Sequence, residues 1–83
     1  MGKQDPALVR TIIATCCKIP VAEVDVQAAV NVTRNWDSLA HLNIMMTVEK
    51  EFGLSLSTTE IAITTSYQSI LELIRDAIRN HSR

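Results

Sequence analysis

The sequence predicts an all-α fold: a four-helix bundle of three main helices and one short one, with a long first loop. Three observations carry that expectation. Apolar residues recur at helical spacing in separate segments, the segments begin or end in capping residues, and no second convincing strand exists for a β-like stretch to pair with. With 83 residues the chain reads as one domain spanning 1–83, whose thin core must draw on most of its apolar residues. A composition of 47% hydrophobic and 20% charged residues excludes a disordered chain.

The first helix is punctuated at both ends. Asp5 is placed to cap it, Pro6 suits the first helical position, and Lys18 with Pro20 marks the exit. Leu8, Val9, Ile12, Ile13 and Cys16 form its apolar stripe. Cys16 and Cys17 are adjacent and point about 100° apart on a helix, so they are poorly placed to bond each other. One faces the core and the other lies nearer solvent. No metal set accompanies them, because His41 and His81 are single and distant.

Residues 19–37 carry β-branched Ile19, Val21, Val24, Val26, Val30 and Val32, which locally suggest a strand. A lone strand leaves its backbone unpaired. The expectation is a long ordered loop that tucks these side chains into the core, with one helical turn near Val21–Val24.

From Ser38 to Phe52 the helical pattern returns, with Leu39, Leu42, Met45, Met46, Val48 and Phe52 as a broad buried face. Gly53 stops this helix, and Leu54 is placed for the contact that accompanies such a stop. Ser57 with Glu60 predicts a capping box for a short third helix holding Ile61 and Ile63. Thr65 with Gln68 predicts a second box for the last helix. There Tyr67, Ile70, Leu71, Ile74 and Ile78 follow helical spacing, and Arg75, Arg79 and His81 suit the negative end of the dipole.

Charge and hydropathy narrow the function. A net charge of −1 argues against nucleic acid as the main partner. Between Ala22 and Glu60 six acids stand against two bases, so the middle of the chain suits a basic partner surface. The apolar stretches fall far short of a membrane span, and Met-Gly-Lys-Gln-Asp-Pro contains no apolar signal core. The expectation is a cytoplasmic monomer bound to neither membrane nor nucleic acid.

The segment with chemical promise is Asp37-Ser38-Leu39, where the long loop enters an amphipathic helix. A serine there sits at the positive end of the helix dipole, near unpaired N–H groups, a place that favours an attached anion. Ser and Asp are also ordinary caps, so the tripeptide alone is weak evidence. A hydrolase built on Asp37, Ser38 and His41 is disfavoured: there is no Gly-x-Ser-x-Gly elbow and no oxyanion hole.

Trp36-Asp37-Ser38-Leu39, its continuation through Met46 to Glu49-Lys50-Glu51-Phe52-Gly53, and Ile63-Thr64-Thr65 together resemble the acyl and peptidyl carrier protein family. The resemblance covers nearly the whole chain and is most specific from Asp37 to Gly53. It implies a helical bundle and a non-catalytic carrier, with 4′-phosphopantetheine from coenzyme A attached to Ser38 by a separate phosphopantetheinyl transferase. It also implies acyl-loading and acyl-transferring biosynthetic enzymes as partners, in fatty-acid, polyketide or other specialised biosynthesis. Asp37 and Leu39 then belong to recognition of the site.

Trp36 and His41 complete the expected recognition region around Ser38. Trp36 reads either as a partner-docking aromatic or, the favoured account, as a loop anchor packing on the bundle, and His41 as a solvated residue beside the arm. Leu42, Met45, Glu49, Glu51 and Glu60 form the expected partner surface. Met46, Val48, Leu56, Ile61 and Ile63 form the expected acyl cleft, although ordinary core packing accounts for each equally well. Met45 and Met46 are consecutive, so only one of them can be core. The family's fatty-acid members bear an acidic second helix, whereas here it begins Ala40-His41-Leu42-Asn43, Lys50 interrupts the late acids, and Arg34-Asn35-Trp36 stands where a glycine is common. These departures point to a discrete carrier for a specialised pathway. The rival reading is a small helical adaptor that binds a partner and is never modified.

Overall fold

A computed structural model describes residues 5–81. Four helices form: α1 (Asp5–Cys17), α2 (Ser38–Phe52), α3 (Thr58–Ile63) and α4 (Tyr67–His81), with one 3₁₀ turn at Val21–Glu23. α1 packs against both α2 and α4. The all-α bundle is therefore as the pattern predicts.

α1 buries Val9, Ile12, Ile13, Ala14 and Cys17. Its stripe runs one residue further round than expected, so Cys17 enters the core and Cys16 is half-buried. The helix ends as predicted: Lys18 turns to φ 58°, and the Ile19 N–H reaches back to the Ala14 carbonyl at 3.0 Å. The Asp5 side chain, with those of Arg79 and His81, lies outside the described residues.

The long loop is ordered by its own hydrogen bonds. Arg10 of α1 donates to the Val24 carbonyl at 2.9 Å and to that of Val21 at 3.2 Å. An isolated antiparallel bridge joins Ala29 to Ser66, with Val30 N–H to Thr65 carbonyl and Tyr67 N–H to Ala28 carbonyl both at 2.9 Å. That bridge uses backbone groups that a lone strand would leave unpaired. Two asparagines, Asn31 (φ 64°) and Asn35 (φ 67°), take the left-handed turns, which their short polar side chains tolerate. Ile19 and Val24 are buried and Val30 is half-buried. Val21, Val26 and Val32 are exposed, against the expectation that all six would tuck inward, because the chain turns too often for one face to point at the core.

α2 buries Ala40, His41, Ile44, Met45 and Val48. The expected face was rotated: Leu39, Leu42 and Met46 are exposed, and Phe52 is only half-buried. Apolar residues lie on both sides of this helix, so spacing alone supports two faces, and the packing against α1 selects one. Gly53 ends α2 at φ 66° and Leu54 N–H bonds the Glu49 carbonyl at 2.9 Å, as expected of a glycine stop.

The capping box of α3 forms as predicted, with Glu60 N–H on Ser57 Oγ at 3.0 Å and Ser57 N–H on Glu60 Oε1 at 2.9 Å. Yet α3 has no buried residue, and Ile63 is exposed. The cap of α4 lies one residue later than expected. Ser66 and Ser69 exchange bonds, with Ser69 N–H on Ser66 Oγ at 3.1 Å and Ser66 N–H on Ser69 Oγ at 3.0 Å. Thr65 is instead drawn into the bridge to the loop. Tyr67, Ile70, Leu71 and Ile74 complete the core from α4.

Candidate functional site

The loop delivers its last residues to the start of α2 through an indole anchor. Trp36 is 1% exposed, the largest of the fully buried side chains. Its N–H donates to His41 Nδ1 at 3.0 Å, and the two rings lie 5.9 Å apart at 29°. Indole nitrogen only donates, so Nδ1 of His41 is the acceptor and the imidazole proton sits on Nε2. Nε2 then donates to the Ile61 carbonyl of α3 at 3.0 Å. His41 is thus a buried crosspiece joining the loop, α2 and α3, which corrects the expectation of a solvated histidine beside the arm. Its carbon skeleton is covered by the core and both of its nitrogens are used inside.

Asp37 performs the capping. Its Oδ1 accepts the Ala40 N–H at 2.9 Å, and its carbonyl accepts the His41 N–H at 2.8 Å. Ser38 is therefore the first residue of α2 and is exposed. Among the described residues its hydroxyl takes no hydrogen bond. Sequence alone leaves Ser and Asp as interchangeable caps; the structure divides the work, with the carboxylate bound to backbone and the hydroxyl free. Leu39 follows, 69% exposed.

Asn35 completes this end. Its side-chain N–H donates to the Cys17 carbonyl at 3.0 Å and ties the site to the end of α1. Asn35, Ile44 and the Ile61 carbonyl escaped the sequence reading. An asparagine before Trp36, a residue type that tolerates left-handed turns, was the signal available for the first.

The other predicted residues do not converge. Met45 is fully buried and leaves the expected partner surface; Leu42 and Glu51 are exposed, while Glu49 is half-buried with Oε2 accepting the Leu56 N–H at 2.8 Å. Glu60 is engaged in the α3 cap. Of the expected acyl-cleft residues, Val48 has no exposed surface, Leu56 and Ile61 are half-buried against the core, and Met46 and Ile63 are 54% and 70% exposed. The two methionines divide as consecutive helical residues must, with Met45 inside and Met46 outside.

Neither thiol is an activated nucleophile. Burial pushes both Cys16 and Cys17 above the ordinary thiol range; the Thr47 hydroxyl partly offsets this for Cys16, and the neighbouring Cys16 and Asp37 add to it for Cys17. Among the described residues no three of His, Cys, Asp and Glu gather as a metal site, and no helix is long and apolar enough to cross a membrane.

No family model matches the chain. A carrier from Streptomyces avermitilis, polyketide-8 synthase acyl carrier protein 2, is 34% identical over 70 residues, covering 84% of this chain and 80% of that protein. The chain belongs to the acyl carrier protein family.

Proposed function

We propose that Ser38 is the attachment serine for 4′-phosphopantetheine and that this 83-residue chain is a single, non-catalytic, cytoplasmic carrier domain. The observation that carries the proposal is the division of labour at the start of α2. Asp37 satisfies the Ala40 N–H, while Ser38 stands exposed at the first helical position with its hydroxyl unengaged. The residues present fit the group. A phosphodiester on Ser38 lies at the positive end of a 15-residue helix, where an anion is stabilised.

The arm supplies a thiol that holds acyl groups as thioesters. Everything else falls to the chain's own residues. Trp36 and His41 fix the loop so that Ser38 is presented in one position. Leu39, exposed beside it, offers an apolar contact to whichever enzyme handles the arm. A phosphopantetheinyl transferase loads Ser38, and acyl-loading and acyl-transferring enzymes are the later partners. The cargo we assign is a polyketide-type acyl intermediate, in keeping with the name of the Streptomyces relative.

The test is mass. Incubation of the unmodified protein with coenzyme A and a broad-specificity phosphopantetheinyl transferase should add the arm once, and Ser38→Ala should abolish the addition. An unmodified wild-type protein, under conditions that load a known carrier, would overturn the proposal.

A further inference from the structure

Two side chains of α2 hold α3 and the segment that leads into it by hydrogen bonds. At the Ser38 end, His41 (7% exposed) donates from Nε2 to the Ile61 carbonyl at 3.0 Å. Two turns along, Glu49 accepts the Leu56 N–H at 2.8 Å and holds the chain that leads into α3. Between these bonds the inner side of α2 is full, with Met45 and Val48 wholly buried. α3 has no fully buried residue; its Ile61 packs half-buried against the core, and the carbonyl of that residue takes the His41 bond.

Ser38 and His41 are three residues apart and share a side of α2. An acyl chain on an arm at Ser38 that enters between α2 and α3 from the Ser38 end meets the His41–Ile61 bond. Entry breaks that bond and leaves an imidazole N–H and a carbonyl buried without partners. A saturated chain brings no acceptor or donor to replace them, and the Trp36 N–H holds His41 so that it cannot turn away to find water.

We infer that this carrier does not enfold its cargo: it holds short or oxygen-bearing acyl chains outside the bundle, and long saturated chains gain no shelter in it. The inference rests on the reading of Ser38 as the attachment serine. An oxygen-bearing chain is solvated in the open and has no need of a cleft. A chain held outside meets the exposed side chains Leu39 and Leu42 rather than Met45 and Val48.

The experiment loads the full chain with butyryl, octanoyl and dodecanoyl arms from the corresponding acyl-coenzyme A thioesters. Loading is checked by mass, and methyl NMR and thermal unfolding are then recorded. The expected result is contact of the acyl chain with Leu39 or Leu42 or none at all, unmoved Met45 and Val48 methyls, and Tm constant to about 1 °C across the series. Acyl contacts to Val48 or Met45, or a Tm that climbs with chain length, overturn the inference while leaving Ser38 in place. Failure of the wild type to load overturns the reading of Ser38 itself, and the inference with it. His41→Leu opens the upper bond at similar volume, and Glu49→Ala, at a half-exposed position, opens the lower one should the first variant not fold. Dodecanoyl contacts to Val48 are expected in a variant and not in the wild type. Their absence from both folded variants shows that these bonds are not the barrier, which also overturns the inference.

Discussion

Trp36 donates its indole N–H to Nδ1 of His41 at 3.0 Å, inside the protein and immediately beside the exposed Ser38. Through that bond one tautomer of the imidazole is selected, and through the tautomer α3 is tied to α2 at the Ile61 carbonyl. The geometry at the start of α2 therefore depends on two side chains buried in the protein.

Removing His41 leaves a buried indole N–H and a backbone carbonyl unpaired. His41→Ala should lower unfolding stability by about 2–4 kcal/mol, and Trp36→Phe by less because most of the ring's packing is kept. Urea denaturation of both single variants and the double variant measures their coupling, expected at about 1 kcal/mol or more. Strict additivity would show that the bond contributes nothing.

Asp37 and Ser38 should separate cleanly. Asp37→Ala removes the cap to Ala40 and should cost about 1 kcal/mol, with Asp37→Asn recovering most of it. Ser38→Ala should change stability by less than about 0.5 kcal/mol, since the hydroxyl bonds nothing among the described residues, yet it should abolish attachment. Chemical denaturation and mass together decide; a large stability loss on Ser38→Ala would mean that the serine does structural work.

Gly53 ends α2 at φ 66° and faces open space on the side where a Cβ would stand. Gly53→Ala therefore incurs only the left-handed backbone cost, about 1 kcal/mol, and Gly53→Asn less. A thermal melt is sufficient, and a neutral Gly53→Ala would contradict the geometry.

Both cysteines should alkylate with a pH dependence displaced upward from an ordinary thiol, because burial raises them. The sign follows from the direction. Below the ordinary thiol range both states hold the proton and nothing is lost, while above it the unfolded chain ionises first and stability falls as pH rises through the folded values. Iodoacetamide labelling read by peptide mass should find Cys16 ahead of the more buried Cys17. Rapid labelling of Cys17 at neutral pH would contradict its place in the core.

The elements that local chemistry specifies were legible from the residues: the Gly53 stop, the Ser57–Glu60 box, the Lys18 exit and the periodicity of α4. Each depends on neighbours within about one helical turn. Ser38 stood out for its place at a loop-to-helix junction, and the surrounding architecture supplied the context. What tertiary structure decided is which way each helix turned. α2 carries apolar residues around much of its circumference, so only packing against α1 could bury Ala40, Ile44, Met45 and Val48 and leave Leu39, Leu42 and Met46 outside. His41 belongs to the same class. Its burial depends on an indole five residues earlier and a carbonyl twenty residues later, a combination that no local pattern encodes. By itself the sequence determined the helices and the serine between loop and bundle. The fold determined that the serine is free and the histidine is not, because those depend on contacts between segments far apart in the chain.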